Sequence, residues 1–357
     1  MIPVTKTFIP PIEEYTTILN RAFSNGWLTN RGELVLELEK KISEKLKLNR
    51  SQVLCLNNGT IPLQIALKLL GNGGEIITTP FSYVATTSAI LWGNCTPVFV
   101  DIHQKTLTID ESLIEAAITD KTTCILATHV FGNPCNVEEI DRIAKKYNLK
   151  VIYDAAHCFG VEYKGNSIFE YGDISTCSFH ATKVFHSGEG GAIFTKDEEL
   201  FKQIKLSHSF GHINDDYFLP GINGKMSELS AAMGLVNINY FDEILSKRKE
   251  VVSLYKQKLD FTKFESIHLR DNIFWNFSYF PIIFNNEEEM MLAKNRLELK
   301  DIFPRRYFYP SLNLLPYLTD KFDLIISENI SKSIICLPLY YELTHSDIEL
   351  IISTTNG

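Results

Sequence analysis

The 357-residue chain contains no apolar run of the ~18–20 residues that a membrane helix needs, so no segment is expected to span a bilayer. Its start, MIPVTKTFIPPIEEY, lacks a basic stretch followed by an apolar core. With no secretory signal to read, the expected location is the cytosol. A basic stripe is also missing. The net charge is -8 and the pI about 5.7, a balance that repels phosphate polymers and makes nucleic acid an unexpected partner. The seven cysteines are scattered, odd in number and without a Cys-x-x-Cys pair. A disulfide framework or a metal site is therefore not expected, and the cysteines read as small buried hydrophobes. Two nucleotide motifs fail as well. GINGKMS lacks the glycine spacing of a P-loop, and GEGGAI is not Gly-x-Gly-x-x-Gly.

What is present is a globular composition, 45% hydrophobic and 22% charged, with no internal repeat. Short β-branched segments predict strands at Val53–Leu56, Glu75–Thr79, Pro97–Asp101, Thr123–Thr128, Lys150–Tyr153, Ser175–Phe179 and Ala192–Thr195. Helical spacing predicts helices between them, at Glu33–Leu48, Ile61–Leu70, Ser82–Trp92, Glu111–Ile118, Val137–Tyr147 and Glu198–Ser207. This alternation predicts an α/β fold with a mostly parallel sheet covered on both faces. From Met226 the pattern changes to one or two long helices and then shorter strands, including Phe277–Phe284. The expected division is a large α/β domain, 1–235, and a smaller C-terminal α+β domain, 236–357.

In open α/β sheets ligands bind beyond the carboxyl ends of the strands, and three such ends carry polar residues. At LCLNNGTIPLQIAL a strand turns into a helix through Gly59 and Thr60. Free amides and the helix dipole favour an anion there, although the segment also reads as an ordinary strand–helix turn. At KVIYDAAHCFG, Asp154 ends a strand and His157 follows three residues later. The carboxylate can cap its own turn or hold a cationic ligand group. At CSFHATKVFHSGEGGAIFT, Lys183 lies in a short polar turn between two strands. A phosphate cradle, an aspartate and a lysine, each at a strand end, fit pyridoxal 5'-phosphate. The aspartate would pair with the ring nitrogen and the lysine would carry the cofactor as a Schiff base.

Seven segments, in this order and spacing, carry a resemblance over nearly the whole chain. They are GWLTNRG (Gly26–Gly32), NNGTIPLQIAL (Asn57–Leu67), TTPFSYVATTSAI (Thr78–Ile90), PVFVDI (Pro97–Ile102), DAAHCFG (Asp154–Gly160), SFHATKVFHSGEGGAI (Ser178–Ile193) and GINGKMSELSAAMG (Gly221–Gly234). The sequence resembles the DegT/DnrJ/StrS family of nucleotide-sugar aminotransferases. The resemblance implies the aspartate aminotransferase type I fold, with a seven-stranded sheet in the large domain. By position it implies Lys183 as the Schiff-base lysine and acid/base, and Asp154 on the ring nitrogen. His157 would lie near the ring hydroxyl and Tyr83 would stack on the cofactor. Gly59, Thr60 and Ser178 would hold the phosphate. Asn223 would reach the phosphate in the neighbouring subunit of a homodimer with shared active sites.

The resemblance places a substrate loop at DIFPRRYFYPSLNLLPY (Asp301–Tyr317). Arg305 and Arg306 would face the substrate diphosphate and Tyr309 the sugar, although a solvated loop is the plainer reading of the arginines. FPRRYFYPSLN looks most like the branch that makes dTDP-4-amino-4,6-dideoxyglucose. The implied reaction moves an amino group from glutamate to C4 of a dTDP-linked 4-keto-6-deoxyhexose, for a deoxyamino sugar of the O-antigen or another surface glycan. Two alternatives are a 3-aminotransferase acting on a 3-keto sugar and a non-catalytic regulatory member of the same fold. The family's 3-dehydratases have His at the Schiff-base position, where this chain has Lys183.

Overall fold

The computed structural model describes residues 1–318 and 322–357. Seven strands form the central sheet: β1 (Gln52–Leu56), β2 (Glu75–Thr78), β3 (Thr96–Phe99), β4 (Thr122–Thr128), β5 (Lys150–Asp154), β6 (Ile174–Ser178) and β7 (Gly191–Thr195). Their spatial order is β1-β7-β6-β5-β4-β2-β3. Strand β7 runs antiparallel to both β1 and β6, and the other pairings are parallel. The mostly parallel sheet expected from the alternating pattern is therefore present. In register, Asp154 at the end of β5 faces Thr176 on β6 and Thr128 on β4. The ends of three neighbouring strands thus meet at one edge.

Helices α1 (Ile12–Asn25), α2 (Glu33–Lys45), α3 (Thr60–Leu70), α4 (Val84–Trp92), α5 (Val137–Tyr147), α6 (Glu198–Ser207) and α7 (Glu228–Lys258) accompany the sheet. Side chains alternate across it. Val53, Cys55, Ala127, Val151 and Tyr153 pack with Leu34, Leu38, Ile140, Ala231 and Leu235 on one face. Leu54, Leu56, Leu126 and Ile152 pack with Leu63, Leu67, Ile90 and Ile204 on the other. Near-continuous apolar strands such as TCILA follow from burial on both faces. All seven cysteines are free and buried, as small hydrophobes are.

The predicted helix at Glu111–Ile118 is instead two single 3-10 turns, Glu111–Leu113 and Glu115–Ala117. Asp110 draws the Ser112 amide and hydroxyl to its side chain at 3.0 and 2.6 Å. A segment this short has too few backbone bonds to offset helix nucleation. The one or two long helices expected from Met226 are a single helix, α7, 31 residues long and unbroken through residues 235 and 236. Its first half joins the core under the sheet. Val251, Val252 and Tyr255 join a second apolar cluster with Phe280, Ile282, Leu297 and Ile351. That cluster draws on strands β9 (Phe280–Ile283) and β10 (Ile334–Leu337) and helices α8 (Glu287–Glu298) and α10 (His345–Asn356), while strand β8 (Glu265–Ser266) pairs with β9 and helix α9 (Ile325–Ser333) places Ile330 in a separate apolar cluster with Phe81 and Phe131.

The two parts are tied together by Asp101, just beyond β3. Its buried carboxylate accepts the Ile326 and Ser327 amides at 2.9 and 2.8 Å and so caps α9 from across the chain. Among the described residues, no helix is long and apolar enough to cross a membrane.

Candidate active site

A cavity of about 430 Å³ opens at the carboxyl ends of β1, β5 and β6. It brings together Gly59, Thr60, Tyr83, Asp154, His157, Ser178, Lys183 and Arg305, eight of the residues singled out from the sequence. Ser82, Thr128, His180, Thr182, Glu189 and Tyr307 also face it.

The first strand end forms a tight cradle. A Cβ placed on Gly59 would lie 2.7 Å from Ser178 Cβ, so only glycine lets these two turns approach. Thr60 is the first helical residue of α3, Gly59 is its N-cap, and the side chain that meets the first turn is that of Asn58. Its Oδ1 accepts the Thr60 and Ile61 amides, each at 2.9 Å. Two amides that the sequence left free for an anion are therefore engaged within the chain.

Asp154 is 5% exposed. Its Oδ2 accepts from Thr86 Oγ1 at 2.7 Å and its Oδ1 from the Ala156 amide at 3.1 Å. The carboxylate thus caps its own turn and faces the cavity as well. Thr86 spends its one hydroxyl proton on Asp154, so Ser82 Oγ, 2.7 Å away, must donate to Thr86. Thr128 Oγ1 in turn donates to Ser82 at 3.1 Å. Three hydroxyls therefore point in series toward the carboxylate. Burial still raises the Asp154 pKa, with the two hydrogen bonds and the more distant Lys183 opposing it.

Lys183 hangs from a loop closed at its base, where the Phe179 amide bonds Gly190 O at 2.8 Å. Its side chain is partly exposed because it borders the cavity. The surrounding protein lowers the amine's pKa by desolvation, against opposing effects from Tyr307 and Asp154. The Tyr279 ring lies 5.9 Å from Nζ. Among the described residues, neither Asp154 nor Lys183 has a salt-bridge partner within 4.0 Å. His157 is buried, and its Nδ1 accepts the Phe131 amide at 3.1 Å. Burial, reinforced by the Lys183 charge, holds it neutral by pushing its pKa well below the ordinary value.

Three expected residues lie elsewhere. Arg306 is tied to Glu287 at 2.7 Å and to Lys332 O at 3.1 Å, with the Tyr309 ring 3.5 Å from its guanidinium carbon. Neither Arg306 nor Tyr309 lines the cavity, because the ion pair with α8 draws the arginine away from it. Asn223 is exposed and outside the cavity, in a strand-like bridge with Ser209. The sequence reading did not single out Ser82, Thr86, Thr128 or Tyr307. A pair of hydroxyls four residues apart, at 82 and 86 around the start of α4, was the one available signal for the first two.

The DegT/DnrJ/EryC1/StrS aminotransferase family model matches residues 12–356. The chain belongs to that family. It is 42% identical to the dTDP-4-amino-4,6-dideoxy-D-glucose transaminase of Shigella dysenteriae, over 98% of this chain and 97% of that one. Among solved structures it is similar to DesI, determined in the presence of its TDP-sugar product. That match has a TM-score of 0.92 and 28% identity, over 100% of this chain and 93% of that one. It is also similar to the PLP-form of Spr1654 from Streptococcus pneumoniae, with a TM-score of 0.90 and 26% identity, over 99% and 97% of the two chains.

Aminotransferases of this family depend on pyridoxal phosphate, and the side chains here fit it. A buried carboxylate and an amine, neither with an ionic partner among the described residues, and a cradle that a Cβ would fill all face one space. Burial raises the Asp154 pKa, so at pH values between the ordinary and the raised pKa the ligand-free protein binds more protons than the unfolded chain. Its stability therefore falls as pH climbs from the ordinary carboxylate range through the raised value. Asp154→Asn is expected to melt no lower than wild type without cofactor at about pH 8. It should also gain less thermal stability on adding pyridoxal phosphate. A clear loss of stability in the ligand-free variant would contradict this assignment.

Proposed function

We propose that this protein is a pyridoxal-phosphate aminotransferase that aminates C4 of a dTDP-linked 4-keto-6-deoxyhexose, with glutamate as donor, to give dTDP-4-amino-4,6-dideoxyglucose. The observation that carries the chemistry is the pair Lys183 and Asp154, both facing one cavity and neither ion-paired among the described residues. The sugar and the position of amination rest on the 42% identity to the Shigella enzyme of that name. We place the reaction in the cytosol, supplying a deoxyamino sugar to a surface glycan.

When bound, the cofactor supplies a cationic ring that accepts the electron pair left as a proton leaves the amino-bearing carbon. The protein does the rest. Asp154 binds the ring nitrogen through its carboxylate and keeps it protonated, and the Thr86–Ser82–Thr128 hydroxyls fix that carboxylate in place. Gly59, Thr60 and Ser178 hold the phosphate. His157 faces the ring hydroxyl, and Tyr83, half exposed at the mouth, covers the ring. Lys183 Nζ takes the proton from the donor's amino-bearing carbon and, in the second half-reaction, delivers one to sugar C4. That task needs a neutral amine for part of the cycle, and desolvation favours it. Arg305, exposed at the rim with its guanidinium 4.5 Å from the Tyr307 ring, faces the substrate diphosphate.

We further propose a homodimer with shared sites, to which Asn223 contributes across the interface. Trp27, Leu28, Phe210, Phe218, Ile222 and Leu229 are exposed apolar side chains of the same region. Leu28 O bonds the Glu228 amide, and the Phe210 amide bonds Ile222 O, so the segments around residues 28 and 210 both adjoin the 222–228 stretch that contains Asn223. The division at 235/236 belongs to the same reading, supported by the separate apolar cluster of the C-terminal half.

Lys183→Ala is expected to retain pyridoxal phosphate binding while kcat falls by about 10²–10⁴-fold or more, read by NMR of the nucleotide sugar after incubation with glutamate. Full turnover would refute the assignment. Arg305→Ala is expected to raise KM for the nucleotide sugar about tenfold with little change in kcat. Arg306→Ala should instead lower stability, on the order of 1–2 kcal/mol, and leave KM near wild type. The reverse pattern would exchange the two roles.

A further inference from the structure

His157 is held by a stretch of backbone with an unusual shape. Phe131, just beyond β4, has a φ of 55°, in the left-handed region that a bulky side chain rarely enters without being held there. Its amide is the group that donates to His157 Nδ1. Its carbonyl accepts two hydrogen bonds from the C-terminal half, from Trp275 Nε1 at 2.9 Å and from Ser278 Oγ at 2.8 Å. All three residues are buried. The following residue, Gly132, has no room for a side chain. A Cβ there would lie 2.7 Å from Asn276 Oδ1.

The 275–278 segment is fixed in its turn. Arg248, buried on α7, donates to Phe277 O at 2.8 Å and to Ser278 O at 2.6 Å. Asn276 Nδ2 donates to the His157 and Phe159 carbonyls at 2.8 and 2.9 Å. One segment therefore grips the His157 backbone directly and the His157 ring through Phe131.

The consequence is a choice of tautomer. A neutral imidazole whose Nδ1 accepts an N–H carries its proton on Nε2. Nε2 is bonded to no described residue, and His157 lines the cavity. With the other tautomer, a lone pair would face an anionic oxygen there and repel it.

We propose that Trp275 and Ser278 are positioning residues for His157. They hold the Phe131 carbonyl, aim the Phe131 amide at Nδ1, and so present Nε2–H as a fixed donor to the anionic ring oxygen of the cofactor. The inference rests on the reading of this cavity as a pyridoxal phosphate site. Neither residue touches the cofactor in this account. Both act through backbone that belongs to the other half of the chain.

The test is a pH titration of the visible absorbance of the holoenzyme, in wild type, Ser278→Ala, His157→Phe and the double variant. Trp275→Phe, which removes only the indole N–H donor and some volume, stands in if Ser278→Ala fails to fold. Losing a donor to the ring oxygen raises the midpoint. Each single variant is expected to move it up by about 0.5–1 unit, the equivalent of one hydrogen bond. Ser278→Ala should add nothing in the His157→Phe background. An unchanged midpoint in Ser278→Ala and Trp275→Phe, or an equal shift with and without His157, would overturn the proposal. Wild-type protein that takes up no pyridoxal phosphate would overturn the functional reading and this inference with it. Normal uptake with unchanged midpoints would overturn the inference alone.

Discussion

Desolvating an ionisable group without an ionic partner is costly, and around this cavity the fold does so with the buried Asp154 and, at the cavity's border, with the partly exposed Lys183. Among the described residues, Asp154 has hydroxyl and amide donors but no cation, and Lys183 has an aromatic ring nearby but no anion in contact. The hydroxyl series from Thr128 through Ser82 to Thr86 keeps the carboxylate in one orientation without neutralising it. A ligand with a protonated ring nitrogen and an electrophilic carbon relieves both strains at once. The same mismatch that weakens the empty site becomes binding energy and reactivity in the filled one.

The parallel sheet explains how such a pair can be brought together. Asp154 and Ser178 end neighbouring strands, and Lys183 follows Ser178 in a loop closed by Phe179 and Gly190. Apolar packing on both sheet faces fixes those ends, so the polar residues beyond them have little freedom. The C-terminal half supplies what the sheet does not. Arg305 and Tyr307 enter the cavity from it, the 275–278 segment braces His157, and Asp101 on the sheet side caps α9 in return. The site is a property of both halves of the chain.

Much of this was legible in the amino-acid order. The strands were visible as short β-branched runs, and Asp154 stood out because it follows such a run directly, Gly59 and Lys183 because they lie in the short polar turns just beyond two others. Contacts between distant residues were not legible. Arg305 and Arg306 are adjacent and chemically alike, and it is the contacts of Arg306 with Glu287 on α8, the Lys332 carbonyl and the Tyr309 ring that separate their positions. The turn through Gly59 and Thr60 was visible, but not that Asn58 Oδ1 takes up the Thr60 and Ile61 amides. Thr86 was embedded in an apolar helix start with no hint that its hydroxyl meets a carboxylate 68 residues away. The 3-10 turns at 111–117 show the converse, a helical spacing too short to hold a helix.

The most direct measurement is borohydride reduction of the pyridoxal phosphate-loaded protein, followed by peptide mass spectrometry. The account requires the phosphopyridoxyl mass on the single peptide that contains Lys183, at close to one per chain. Label on a different lysine, or none after the protein has been saturated with cofactor, would contradict it.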